Sequence, residues 1–152
     1  MLGDAQAILN KLTLETFDVL YEKFLNLSPS SLDEYSQLVD LVYEKAVMEP
    51  HFAPMYAKLC RLMNRDSAGK LNNLLYSKPE NGLFVICARG TSTPLTEGMK
   101  TEELAREAAL KQTSFRRILA DKCQRVGTSC DCDYRNWKLK GRLWNWRLSV
   151  VL

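Results

Sequence analysis

The sequence predicts an all-α fold assembled from helical hairpins. Three observations predict it. Apolar residues recur at helical spacing in three successive segments between Thr13 and Met63. Ser28-Pro29-Ser30 and Pro50 divide those segments. No alternating period-2 run occurs before residue 82.

The first segment follows Thr13, whose hydroxyl can accept from an orphan backbone N–H one turn later. Phe17, Leu20, Tyr21, Phe24 and Leu25 then form one apolar stripe, with Glu15, Asp18, Glu22 and Lys23 facing away. Pro29 ends it, because proline cannot continue a helix and biases its predecessor to extended geometry. Ser31 followed by Glu34 is a capping box and opens the second helix. Its stripe is Tyr35, Leu38, Val39, Val42, Ala46 and Val47, and Pro50 stops it. A third stripe runs through Phe52, Met55, Tyr56, Leu59, Cys60 and Met63. Pro54 fits that helix only in its first turn.

From Asp66 to Met99 the punctuation changes, with Gly69, Pro79, Gly82, Gly90, Pro94 and Gly98. This stretch reads as a long loop. Within it Leu83–Ala88 is a short apolar run of strand character without an evident strand partner. Thr101 then caps a helix through Glu102–Gln112, with Leu104, Ala105 and Ala108 inward, running on into Phe115, Ile118 and Leu119. Two helices joined by a short break make an αα-hairpin, and a third helix after Pro50 begins the next. Hairpins stacked in series build HEAT-type solenoids; periodicity alone equally allows a small bundle.

Composition bounds the function. The chain has 152 residues, room for one domain, and 46% hydrophobic content, enough for a core. It carries neither an apolar run of membrane-spanning length nor a signal-peptide pattern, so a cytoplasmic protein without membrane contact is expected. The net charge of +3 hides a segregation. Residues 1–50 hold nine acidic and three basic side chains, and residues 51–152 hold nine acidic and eighteen basic. A basic second half is compatible with contact to RNA phosphates.

The five cysteines offer no metal site. Cys60 and Cys123 fall on or at the end of apolar stripes, Cys87 lies in the apolar run, and Cys130 with Cys132 is a lone CxC. The sole histidine, His51, follows Pro50 at a helix start, a solvated or capping position. With one histidine, no serine or cysteine nucleophile has an evident partner base, and no Gly-rich phosphate loop follows a strand. The chain reads as a non-enzyme that needs neither metal nor cofactor.

Four blocks carry a resemblance. They are LNKLT at Leu9–Thr13 with Glu15 and Phe17, the EKA of Glu44–Ala46 with Glu49, Pro50 and Phe52, YAKLC at Tyr56–Cys60, and FRRILADKCQ at Phe115–Gln124. In this order they are similar to the middle domain of the eukaryotic translation initiation factor 4 gamma family. That resemblance implies a crescent of HEAT-like helical hairpins, of which this sequence matches about two, an incomplete solenoid. It implies a partial domain over residues 1–125 with a loop insertion at 66–100. It further implies a translation initiation scaffold of the cap-binding complex. Such a domain binds the DEAD-box RNA helicase initiation factor 4A and mRNA, and reaches other initiation factors through the full-length scaffold. In the family the first hairpin meets the helicase's C-terminal lobe. Lys11 and Glu15, polar residues flanking the first turn, are therefore the candidate helicase-binding residues. A helical adaptor in mRNA decay or splicing, from the wider superfamily, is the alternative, and a truncated product without function is another.

Residues 126–152 depart from the family pattern. They hold all three tryptophans (Trp137, Trp144 and Trp146), interleaved with Arg135, Lys138, Lys140, Arg142 and Arg147. Such a mixture can bind nucleic acid or lie on a membrane surface. The Val126 codon begins with GT, as an intron donor does, and the tail is expected to be unstructured or mis-spliced sequence rather than an evolved module.

Overall fold

A computed structural model describes residues 1–91 and 93–128. Its elements are α1 (Leu2–Asn10), α2 (Phe17–Leu25), α3 (Leu32–Met48), a 3-10 turn (Pro50–Phe52), α4 (Ala53–Leu74), β1 (Leu75–Glu80), β2 (Leu83–Ala88), α5 (Glu102–Thr113) and α6 (Phe115–Thr128). The architecture is all-α and HEAT-like, with one two-stranded hairpin inserted among the helices. The expectations for the Trp-rich tail, for Cys130 and for Cys132 lie outside the described residues.

The three predicted stripes become α2, α3 and α4. Phe17, Tyr21 and Phe24 are buried on α2; Tyr35, Leu38, Val39, Val42 and Ala46 on α3; Met55, Tyr56, Leu59, Cys60 and Met63 on α4. Phe52 is a correction: it is 44% exposed, because the 3-10 turn points it away before α4 begins. The Ser31 hydroxyl accepts from the Glu34 N–H at 3.2 Å. The Glu34 carboxylate closes the box one residue early, on the Ser30 N–H at 2.8 Å and the Ser30 hydroxyl at 2.7 Å. Pro54 lies in the first turn of α4, the one place its ring is tolerated.

Helix pairing differs from the expected hairpin. α3 packs on α1, α4 and α6, while α2 packs on α1 and α4. The extra helix α1 contributes Ala5 and Leu9 to the core.

The reading of Asp66–Met99 as a long loop is overturned. α4 continues to Leu74, and the chain then turns straight into an antiparallel hairpin in which Leu75 pairs with Ala88 and Glu80 with Leu83. Leu83–Ala88 therefore does have a strand partner. Asn81 at φ 52° and Gly82 at φ 78° form the two-residue connection, both with the positive φ that a type I′ turn needs. Both edges of β2 are occupied. Phe84 exchanges backbone bonds with Met99 at 2.8 and 3.0 Å, and the Ile86 carbonyl accepts from Leu95 N–H at 2.8 Å. On β1, Pro79 stands opposite Phe84, whose own backbone bonds point outward. Pro79 thus faces the open edge, where its missing N–H costs nothing and discourages strand addition.

The α5 face is a second correction. Ala105 and Ala109 are inward, Ala108 is partly buried, and Leu104 is 57% exposed. The two alanines pack α5 over Leu75, Ile86 and Ala88 of the hairpin. α5 also does not run into Phe115. Ser114 breaks it at ψ 148°, and its hydroxyl accepts from Arg117 N–H at 3.3 Å to start α6. Just before the break, the Thr113 hydroxyl bonds back to the Ala109 carbonyl at 2.8 Å, a contact that bends helices. Phe115 and Leu119 are each 1% exposed and join the main core against α3 and α4.

Candidate functional site

The turn between α1 and α2 holds both predicted site residues. It is framed by hydroxyl groups. The Thr16 hydroxyl donates to the Lys11 carbonyl at 3.1 Å, so it accepts from the Thr13 hydroxyl at 2.9 Å and from the Thr13 N–H at 3.0 Å. In return, the Thr16 N–H reaches the Thr13 hydroxyl at 3.2 Å. The turn is a closed local network, and Leu12 and Phe17 bury its two ends in the core.

Lys11 caps the C-terminus of α1, and Glu15 lies within the turn. Both are exposed, and no ion pair among the described residues holds either one. Between and beside them stand two apolar side chains that the sequence reading left out, Leu14 at 76% exposure and Val19 at 62%. A signal was present for both. Leu14 precedes the first stripe, and Val19 falls between its positions, so neither belongs to the buried face. Behind the turn, the Lys58 ammonium of α4 stands 4.2 Å from the Phe17 ring centroid and 3.4 Å from Asp18. It ties the start of α2 to α4.

The other matching blocks prove structural. Glu49 and Tyr56 bracket the turn from α3 to α4. The Tyr56 hydroxyl donates to Glu49 at 2.7 Å, and Lys45 reaches the other carboxylate oxygen at 3.1 Å. The Tyr56 bond, with help from Lys45, holds the Glu49 carboxyl below the usual range; burial and the Glu49 acceptor push the Tyr56 phenol up. His51 is exposed on the 3-10 turn beside this network. In the last block, Lys122 reaches from α6 to α3, 3.2 Å from Asp40 and 3.8 Å from Glu44.

One turn further along the same face of α2, Arg65 holds Asp66 through two bonds of 2.8 and 2.9 Å, and the Tyr21 hydroxyl adds a third at 2.7 Å. These donors, Arg65 first, bring the Asp66 carboxyl down to about 2. A cavity of about 20 Å³, with space for one water-sized group, opens there between Phe24, Tyr35, Met63, Ser67 and Lys70. The exposed face of α4 presents Lys58, Arg61 and Arg65, one turn apart, as a basic stripe.

None of these groups forms a metal cluster among the described residues, and no helix there is long and apolar enough to cross a membrane. The arrangement suits protein contact: a stiff turn presents apolar and charged side chains outward, while Glu44, Lys45, Glu49 and Lys122 of the other blocks hold helices and turns together.

Comparison with known proteins gives consistent kinship. The chain is 36% identical over 58 residues to "Eukaryotic translation initiation factor 4 gamma 1" of Mus musculus, covering 38% of this chain and 4% of that protein. It is 38% identical over 55 residues to "Eukaryotic translation initiation factor 4G" of Triticum aestivum, with 36% and 4% covered. It is 40% identical over 62 residues to "Eukaryotic translation initiation factor 4 gamma" of Dictyostelium discoideum, with 40% and 4% covered. The matched stretch is thus a small part of each relative's length. No solved structure matches. Residues 3–125 match the MIF4G domain family, and the chain belongs to it.

Proposed function

We propose that this MIF4G domain works as a scaffold in translation initiation, docking the DEAD-box RNA helicase initiation factor 4A through the α1–α2 turn. One observation carries the reading. Within the family-matching residues, a hydrogen-bonded turn holds Lys11, Leu14, Glu15 and Val19 outward. Two apolar anchors flanked by one cation and one anion have the composition of a small docking patch, in which burial supplies affinity and charge supplies orientation. The mechanism is geometric. A rigid helical surface that binds one arrangement of the helicase lobes better than another shifts their population and performs no chemistry itself. The reading asks for no catalytic residue and no cofactor. Contact with mRNA phosphates falls to Arg61 on the exposed face of α4, flanked by Lys58 and Arg65, whose charges are shared with Asp18 and Asp66, and other initiation factors would be reached through a longer protein.

The alternative occupants are helicases of mRNA decay or splicing. Binding of the chain to purified initiation factor 4A, to its isolated C-terminal lobe and to those other helicases separates them. The expected result is selective binding to initiation factor 4A through that lobe. The double substitution Leu14→Ser, Glu15→Lys should weaken it roughly tenfold while the thermal melt stays unchanged. Preference for a decay or splicing helicase, or indifference to the double substitution, would overturn the proposal.

A further inference from the structure

We propose that Asn81 is a site of spontaneous modification, where the side-chain amide cyclises onto the Gly82 nitrogen and the isoaspartate that follows opens the tip of the β1–β2 hairpin. Both residues are exposed at that tip. The Asn81 side chain makes no hydrogen bond among the described residues. Gly82 has no Cβ to block an approach to its nitrogen, and a Cβ built there would meet nothing within 4 Å. The strand register completes the site. Glu80 pairs with Leu83, so the Gly82 N–H between them lies outside the strand ladder, where solvent can take its proton.

The reaction needs only water and hydroxide. Hydroxide takes the Gly82 proton, and the nitrogen attacks the Asn81 Cγ. The bond from Cγ to the amide nitrogen breaks, ammonia leaves, and a succinimide ring remains. Closing that ring needs rotation about the Asn81 ψ, and exposure of both tip residues leaves no neighbour to resist it. Water then adds to one of the ring carbonyls. Opening at the α-carbonyl side leaves isoaspartate, in which the backbone runs on through Cβ and Cγ; opening at the other restores the ordinary chain with an aspartate.

The other described asparagines are unsuited. Asn10, Asn64, Asn72 and Asn73 lie in helices, and Asn26 caps the end of α2. Each is followed by a residue with a side chain, and helical bonding engages the amide that would have to attack. The Asn72 side chain also accepts from Arg106 at 2.9 Å. At the hairpin tip, isoaspartate adds one carbon to a two-residue connection, which the type I′ turn cannot absorb. The strands then respond differently. β1 pairs with β2 alone, whereas β2 also keeps Phe84 on Met99 and Ile86 on Leu95. Conversion therefore releases the tip of β1 and leaves β2 in place.

The test ages the full chain and its Asn81→Gly variant in mildly alkaline buffer. Peptide mass spectrometry and labelling by an isoaspartyl methyltransferase locate the product. Asn81 should convert ahead of Asn10, Asn26, Asn64, Asn72 and Asn73, with isoaspartate in the mixture. Amide exchange is then read by NMR on the converted fraction. The Lys78 and Glu80 amides, opposite Val85 and Leu83, should exchange about tenfold faster. The Phe84 amide, bonded to Met99, should stay protected. Asn81→Gly accepts the positive φ and should age without either change. Earlier conversion at any of the other five asparagines, no conversion at Asn81, unchanged exchange at Lys78 and Glu80, or the same acceleration in aged Asn81→Gly would each overturn the proposal.

Discussion

Gly90 lies against Ser31. With φ +87° it closes the end of β2, and a Cβ added there would stand 2.7 Å from the Ser31 Cβ. Next to it, the Arg89 carbonyl accepts from the Leu32 N–H at 3.2 Å. The hairpin is therefore docked, backbone to backbone, on the N-terminus of α3.

Gly90→Ala should destabilise the domain by about 1–3 kcal/mol, from positive-φ strain and the clash together. Urea unfolding measures it. Gly69→Ala is the control: a Cβ there meets nothing within 4 Å, and alanine in a helix interior should stabilise by roughly 0.5–1 kcal/mol.

Tyr56→Phe should cost about 1–2 kcal/mol, because it removes a hydrogen bond to the charged Glu49 at the turn into α4. Glu49 should then titrate closer to an ordinary carboxylate, which NMR titration reads. Its folded pKa is depressed, so its contribution is present above the unfolded value and is lost as pH falls through the folded one. The substitution should therefore weaken the acid-side loss of stability, and an unchanged Glu49 titration would refute the assignment.

Asp66 makes a second acid-sensitive contribution. Its carboxyl is drawn from 3.8 to about 2, so the stability it supplies is full above about pH 4 and is lost between there and about pH 2. Tyr21→Phe removes one of its donors. Stability measured across that window should fall less steeply in the variant than in the wild type.

Lys122→Met should loosen α6. The substitution leaves the Asp40 carboxylate, 32% exposed on α3, without its ion pair. Amide exchange in α6 should rise about 5- to 30-fold, equivalent to about 1–2 kcal/mol of local stability. Exchange in the β hairpin, which does not touch this pair, should stay unchanged.

The sequence determined the parts whose signal is local. The stripes of α2, α3 and α4 were legible because each repeats large apolar side chains at helical spacing. The Ser31 and Thr101 caps were legible because a hydroxyl before a helix has one obvious acceptor role; their side chains accept from Glu34 and Leu104 N–H as expected. Lys11 and Glu15 were legible as exposed polar positions. Asn81-Gly82 was also a written signal, the strongest hairpin dipeptide, and it went unread because its first strand, LYSKPE, has no strand pattern of its own.

Tertiary structure decided the rest. β1 is a strand because β2 supplies its hydrogen bonds, and β2 in turn needs Met99 and Leu95 on its far edge. α5 and α6 part at Ser114 because one must lie on the hairpin through Ala105 and Ala109, while the other must bury Phe115 and Leu119 on α3 and α4. Helical periodicity can say that a side chain lies on a face. Which neighbour covers that face, and so which apolar residues, such as Leu14 and Val19, are left for a partner, depends on contacts between segments far apart in the chain.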